Sequence, residues 1–193
     1  MFGMTSGAGS ESSSATLAWC VVLLAAVAAA FWDWRTGRIP NLLTLPLFLA
    51  GLLWSTWYGG ASGLFGAMGS AMLLALPCFL LFLFAGGGAG DVKLLGALGA
   101  WLTVRDAVPV LLCVASAGVV CGVVSALLRR RHAALWANLS QIVGGLTVAM
   151  ATRRIRTAQA LMPDEQQMQP MPYGVAICLG VWVAAGGRWL WQS

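Results

Sequence analysis

The sequence predicts an all-α, polytopic integral membrane protein with about six transmembrane helices, one of them short, plus a cytoplasmic amphipathic helix. Three observations carry that prediction. Of its 193 residues, 60% are hydrophobic and only 9% charged, where a soluble domain has roughly 25% charged. The charges punctuate the chain, leaving charge-free intervals at 12–32, 39–90, 107–128, 132–152 and 166–187 and a shorter one at 94–104. About 20 apolar residues span a bilayer, so most intervals are long enough to cross and one could cross twice. Finally, the basic residues gather on one side of the resulting arrangement.

A polar stretch, 1–14, is expected outside the membrane, followed by a single membrane domain over 15–193. The first span lies near 15–33. The long interval divides at "WYGGASG", giving spans near 42–58 and 63–85. A short span near 91–104 ends at Arg105–Asp106; from Asp91 to Asp106 it would measure about 24 Å, so the bilayer must thin around it. The fifth span runs 107–128 up to "RRRH" and the last runs 172–191. With the N-terminus outside, Arg35, Arg38, Lys93, Arg129, Arg130, Arg131, Arg153, Arg154 and Arg156 fall inside. These are nine of the 11 Lys+Arg, leaving Arg105 and Arg188 outside, as the positive-inside rule requires.

The loop 129–171 separates the last two spans. Its segment 132–152 is long enough to cross, but it holds His132, Asn138, Ser140, Gln141 and a Gly-Gly pair. Its apolar positions Leu135, Leu139, Ile142, Leu146 and Met150 recur at helical spacing, and crossing would put "RRIR" outside. It is expected to lie on the cytoplasmic face, with "QALMPDEQQMQPMP" as a polar connection. Small residues in "GLFGAMGSAM" and at Gly118-xxx-Gly122 mark expected helix contacts.

Other classes are disfavoured. The net charge of +5 belongs to residues flanking spans, so no nucleic-acid binding is expected. Cys20, Cys78, Cys113, Cys121 and Cys178 lie in apolar runs without a CxxC pair, which argues against structural zinc or a disulfide framework. No metal or cofactor is expected. "MFGMTSGAGSESSSAT" holds no Lys or Arg, and Trp19 stands where a lipoprotein cleavage site needs a small residue. The first apolar run is therefore read as a retained helix.

Two carboxylates stand out. Glu11, Asp106, Asp164 and Glu165 fall in predicted loops, whereas Asp33 ends the first span and Asp91 opens the fourth. Two crossings separate them, so both reach the same membrane face. As boundary residues they would pair with Arg35 or Arg38 and with Lys93. As a functional pair, two close carboxylates in a low-dielectric site share a proton. One then acts as base toward water while the other polarises a peptide carbonyl, with no metal and no covalent intermediate. The glycines of "GGGAG" before Asp91 would let the backbone approach an extended substrate.

"DWRTGRIPNLL" and "GAGDVKLLGALG" resemble the two signature regions of the type IV prepilin leader peptidases, which are GxGD-type membrane aspartic proteases. The first region matches at Asp33, Arg35, Ile39, Pro40 and Asn41, and the second at Gly88, Gly90, Asp91, Lys93 and Leu94. "MPYGVAI" resembles the family's closing helix. The resemblance implies a catalytic pair, Asp33 and Asp91, with Arg35, Pro40, Asn41, Gly88, Gly90 and Lys93 shaping the site. It implies cleavage of prepilin-like leaders at the cytoplasmic face of a prokaryotic inner membrane. Bifunctional members carry an N-terminal insert with paired CxxC motifs, which these residues lack. The chain resembles the shorter peptidases of tight-adherence (Flp-type) pili, and N-methylation is not expected. Two other classes use the same features: a small transporter or ion-binding protein with a carboxylate relay, and a non-enzymatic pilus or secretion subunit.

Overall fold

A computed structural model describes residues 6–85, 88–128 and 173–192. These form five helices: α1 (Ser6–Thr36), α2 (Asn41–Ala85), α3 (Ala89–Gly99), α4 (Val104–Leu128) and α5 (Tyr173–Gln192). Among the described residues there is no strand. The expected surface helix at 132–152 and the rest of loop 129–171 lie outside them.

Three stretches are long and apolar enough to cross a membrane: Ser13–Thr36, Asn41–Leu83 and Val104–Val124. The protein is a membrane protein by this measure, and its packing agrees. The buried set is dominated by alanines, including Ala25, Ala26, Ala29, Ala71, Ala97, Ala107, Ala176 and Ala184, while Leu24, Leu53, Phe65, Leu112 and Val183 are exposed. Large apolar side chains outside and small ones between helices suit a lipid solvent, where close backbone approach drives association.

The helices form two groups. In α2, Gly60 adopts φ 59°, ψ −145°, a left-handed φ that favours glycine, and breaks the helix into two arms. The break lies inside the "WYGGASG" stretch where the sequence predicted a division. A Cβ on Gly63 would meet the Ser55 carbonyl, so the arms fold back on one another. Helix α3 lies against both arms. It runs alongside the first, from Ile39 beside Gly90 to Trp101 Nε1, which donates to Leu47 O at 2.8 Å. It runs opposite to the second, where a Cβ on Gly96 would lie 3.6 Å from Ala75 and one on Gly99 2.6 Å from Ala71. In the other group, α5 runs antiparallel to α1 and α4: Gly174 meets Asp33 and Gly180 meets Val114, while Arg188 lies over the Trp19 ring.

Several expectations require correction. Helix α1 extends to both sides of 15–33. Its end is set by Gly37 at φ 62°, whose N–H donates to Asp33 O at 2.7 Å, closing the helix with a left-handed cap. The short helix ends at Gly99 rather than 104, and α4 starts at Val104 rather than 107. The cause is Thr103 acting as N-cap: its Oγ1 accepts from the Asp106 N–H at 3.3 Å and donates to Asp106 Oδ2 at 2.8 Å. Asp106 is therefore in the first turn of α4, not in a loop. Its Oδ1 also accepts from Arg188 Nη1 at 2.6 Å, the one ion pair among the described residues. Among the described residues, nothing lies within 4 Å of a Cβ added at Gly118 or Gly122, which were expected at a helix contact.

Candidate active site

Asp33, in the last turn of α1, is buried at 8% exposure. Trp32 and Trp34 on either side are exposed, so the helix turns its carboxylate inward and its indoles outward. The chain then reverses through Thr36–Pro40. Thr36 Oγ1 lies 2.8 Å from Trp32 O and 2.9 Å from Arg38 O, and the Pro40 carbonyl accepts from the N–H groups of Leu43 and Thr44 to open α2. Proline suits this place because a helix start needs no amide from it.

Asp91 occupies the first turn of α3, whose N-cap is Gly88. Its N–H donates to Gly88 O at 3.2 Å. A Cβ on Gly88 would lie 3.0 Å from Asp91 Oδ2, so the carboxylate folds back over the glycine toward the positive end of α3.

The two motifs interlock. Lys93 Nζ donates to Asn41 Oδ1 at 3.0 Å, and a Cβ on Gly90 would come within 3.3 Å of Ile39 Cβ. The turn after Asp33 is thus clamped onto the start of α3, the helix that carries Asp91. The pairings of a simple boundary role are not seen: among the described residues, neither Asp33 nor Asp91 forms an ion pair. Arg35 and Arg38 are exposed, and the Arg35 guanidinium lies 5.8 Å from the centroid of the Phe31 ring. Of the predicted residues, Asn41 meets Lys93, Gly88 meets Asp91 and Gly90 meets Ile39 next to Pro40, while Asp33 is buried at the end of α1 and Arg35 is exposed.

One contact was not anticipated. The Gly174 N–H, at the start of α5, donates to Asp33 Oδ2 at 2.8 Å. The sequence signal for Gly174 was "MPYG" ahead of an apolar run, which marks a helix start and not its partner.

The sequence profile of the type IV leader peptidase family matches residues 20–123, an interval that contains both motifs. The chain belongs to this family. Among its curated relatives is a prepilin leader peptidase/N-methyltransferase of Burkholderia pseudomallei (strain K96243), 38% identical over 122 residues that make up 60% of this chain and 38% of the relative. The protein of that name in Neisseria gonorrhoeae is 35% identical over 124 residues, 61% of this chain and 43% of the relative. The one in Escherichia coli (strain K12) is 35% identical over 121 residues, 60% of this chain and 52% of the relative. The chain therefore spans about two fifths to one half of the length of these relatives. No solved structure matches it significantly.

Proposed function

We propose that the chain is a membrane aspartic endopeptidase that removes the N-terminal leader of prepilin-like proteins at the cytoplasmic face of the inner membrane. The observation that supports this reading is the clamping of the turn after Asp33 onto the start of the helix that carries Asp91, within a family of leader peptidases. Asp33 and Asp91 share one proton. The ionised partner takes a proton from water, whose oxygen attacks the scissile carbonyl carbon. The protonated partner hydrogen-bonds to the carbonyl oxygen and delivers its proton as the tetrahedral intermediate forms. Collapse breaks the C–N bond, the amine leaves with a proton from the pair, and the shared proton is restored. The remaining motif residues hold this pair: Gly88 leaves space for Asp91, while Asn41, Lys93 and Gly90 fix the two backbones together.

We read six crossings, counting the arms of α2 separately and including α3 and α5. Exposed Trp32 and Trp34 at the site end and Trp57, Tyr58 and Trp189 at the other match two interfacial aromatic belts. The charge bias supports a cytoplasmic site. We further propose, from the resemblance to the shorter tight-adherence peptidases, a peptidase without N-methyltransferase activity.

The test uses purified protein in lipid vesicles and a synthetic substrate with a basic leader, a glycine before the cut and a long apolar segment. With a methyl donor added, mass spectrometry should find one cleavage at the leader boundary and an unmethylated new N-terminus, with no product from Asp33→Asn or Asp91→Asn. An intact substrate after incubation with folded wild-type protein rejects the reading.

A further inference from the structure

Asp33 stands at the wrong end of its own helix. The last turn of α1 presents carbonyl oxygens, and a negative charge there opposes the helix dipole. Helix α5 supplies the compensation: Gly174 is in its first turn, where backbone N–H groups have no partner within the helix. Among the described residues that N–H is the one hydrogen-bond donor to the Asp33 side chain, at 2.8 Å. The fit leaves no slack. A Cβ on Gly174 would lie 2.9 Å from both Asp33 Cβ and Asp33 Oδ2, and position 174 is itself buried.

We propose that Gly174, outside both motifs, is a positioning residue of the catalytic pair: its amide fixes Asp33 Oδ2 and leaves Oδ1 free for water and Asp91. This rests on the peptidase reading and adds a third element to the site. The two motifs bring the carboxylates together, and α5 sets how one of them faces. A purely space-filling glycine would need the room and not the bond.

The chain's only two tyrosines, Tyr58 and Tyr173, are each followed by glycine. Labelling the tyrosine carbonyl with carbon-13 and the glycine amide with nitrogen-15 therefore isolates two amide signals, Gly59 and Gly174, in detergent-solubilised protein. The Gly174 proton should resonate downfield, as a charge-assisted bond requires, and move upfield in Asp33→Ala while Gly59 stays in place. In cleavage assays, Gly174→Ala should lower kcat by about 10²-fold, the scale of a 1 Å misplacement, with KM near wild type. A Gly174 signal indifferent to Asp33→Ala, or an unchanged kcat in Gly174→Ala, overturns the positioning role. Should Gly174→Ala not fold, the spectroscopic arm decides, because it leaves Gly174 intact. A wild-type chain that shows the bond but cuts no leader overturns the peptidase reading and the positioning role with it.

Discussion

Asp33 and Asp91 are each held against a glycine, and the two glycines act differently. Gly174 brings a donor to Asp33, whereas Gly88 only stays out of the way of Asp91 Oδ2. Gly88→Ala places a methyl group 3.0 Å from that oxygen, tighter than ordinary contact, and rotates the carboxylate. We expect kcat to fall about 10²-fold with the helix content of the protein unchanged by circular dichroism. A sequence can display both aspartates, because a carboxylate at the edge of an apolar run is costly and conspicuous. It does not display Gly174, which is one of 24 glycines and acts through its backbone on a residue 141 positions away. Asp106 was hidden for a similar reason. Beside Arg105 it looks like loop punctuation, yet the Thr103 cap three residues earlier draws it into the first turn of α4 and Arg188 makes it a bridge.

Helix ends were legible where the chain carries its own stop signal. Gly37 and Gly60 terminate or break helices by conformation, and the expected division of the long apolar interval coincides with Gly60. Helix contacts were less legible, because small residues mark possible approaches without saying which are used. Gly180 approaches the Val114 backbone at 2.5 Å and Gly99 the Ala71 backbone at 2.6 Å, measured from an added Cβ, while Gly118 meets nothing within 4 Å among the described residues. Gly180→Leu and Gly99→Leu should each destabilise the folded protein by about 1–3 kcal/mol through overpacking. Gly118→Leu should stay within about 0.5 kcal/mol of wild type. Thermal unfolding in detergent measures all three, and equal effects would refute the contact assignments. Between elements, Asn41 and Lys93 form the latch joining the motifs. Asn41→Ala, Lys93→Ala and the double variant should show a coupling of about 0.5–1 kcal/mol in a double-mutant cycle, modest because Lys93 is exposed.

At the scale of the molecule, the composition made the membrane legible at once, and the charge pattern supplied a self-consistent orientation. The three stretches of spanning length and the alanine-rich interior agree with the first of these. What composition could not supply is the fastening at the end opposite the site. There Arg188 pairs with Asp106 at 2.6 Å and lies 5.4 Å from the centroid of the Trp19 ring, tying α1, α4 and α5 together. Asp106→Ala leaves a half-buried guanidinium without its partner and should cost about 1–3 kcal/mol, seen as a lower unfolding temperature. Leader cleavage below that temperature should be unaffected, because the pair stands at the far end from Asp33.

The central claim is that two carboxylates act as one catalytic unit, and the most direct measurement is the leader-cleavage rate of Asp33→Asn, Asp91→Asn and the double variant. Members of a single unit are not additive. The account predicts that each single variant loses at least about 10²–10⁴-fold, the contribution of one acid–base group, and that the double variant is no slower than either. A single variant cleaving at the wild-type rate, or two losses that multiply in the double variant, would contradict it.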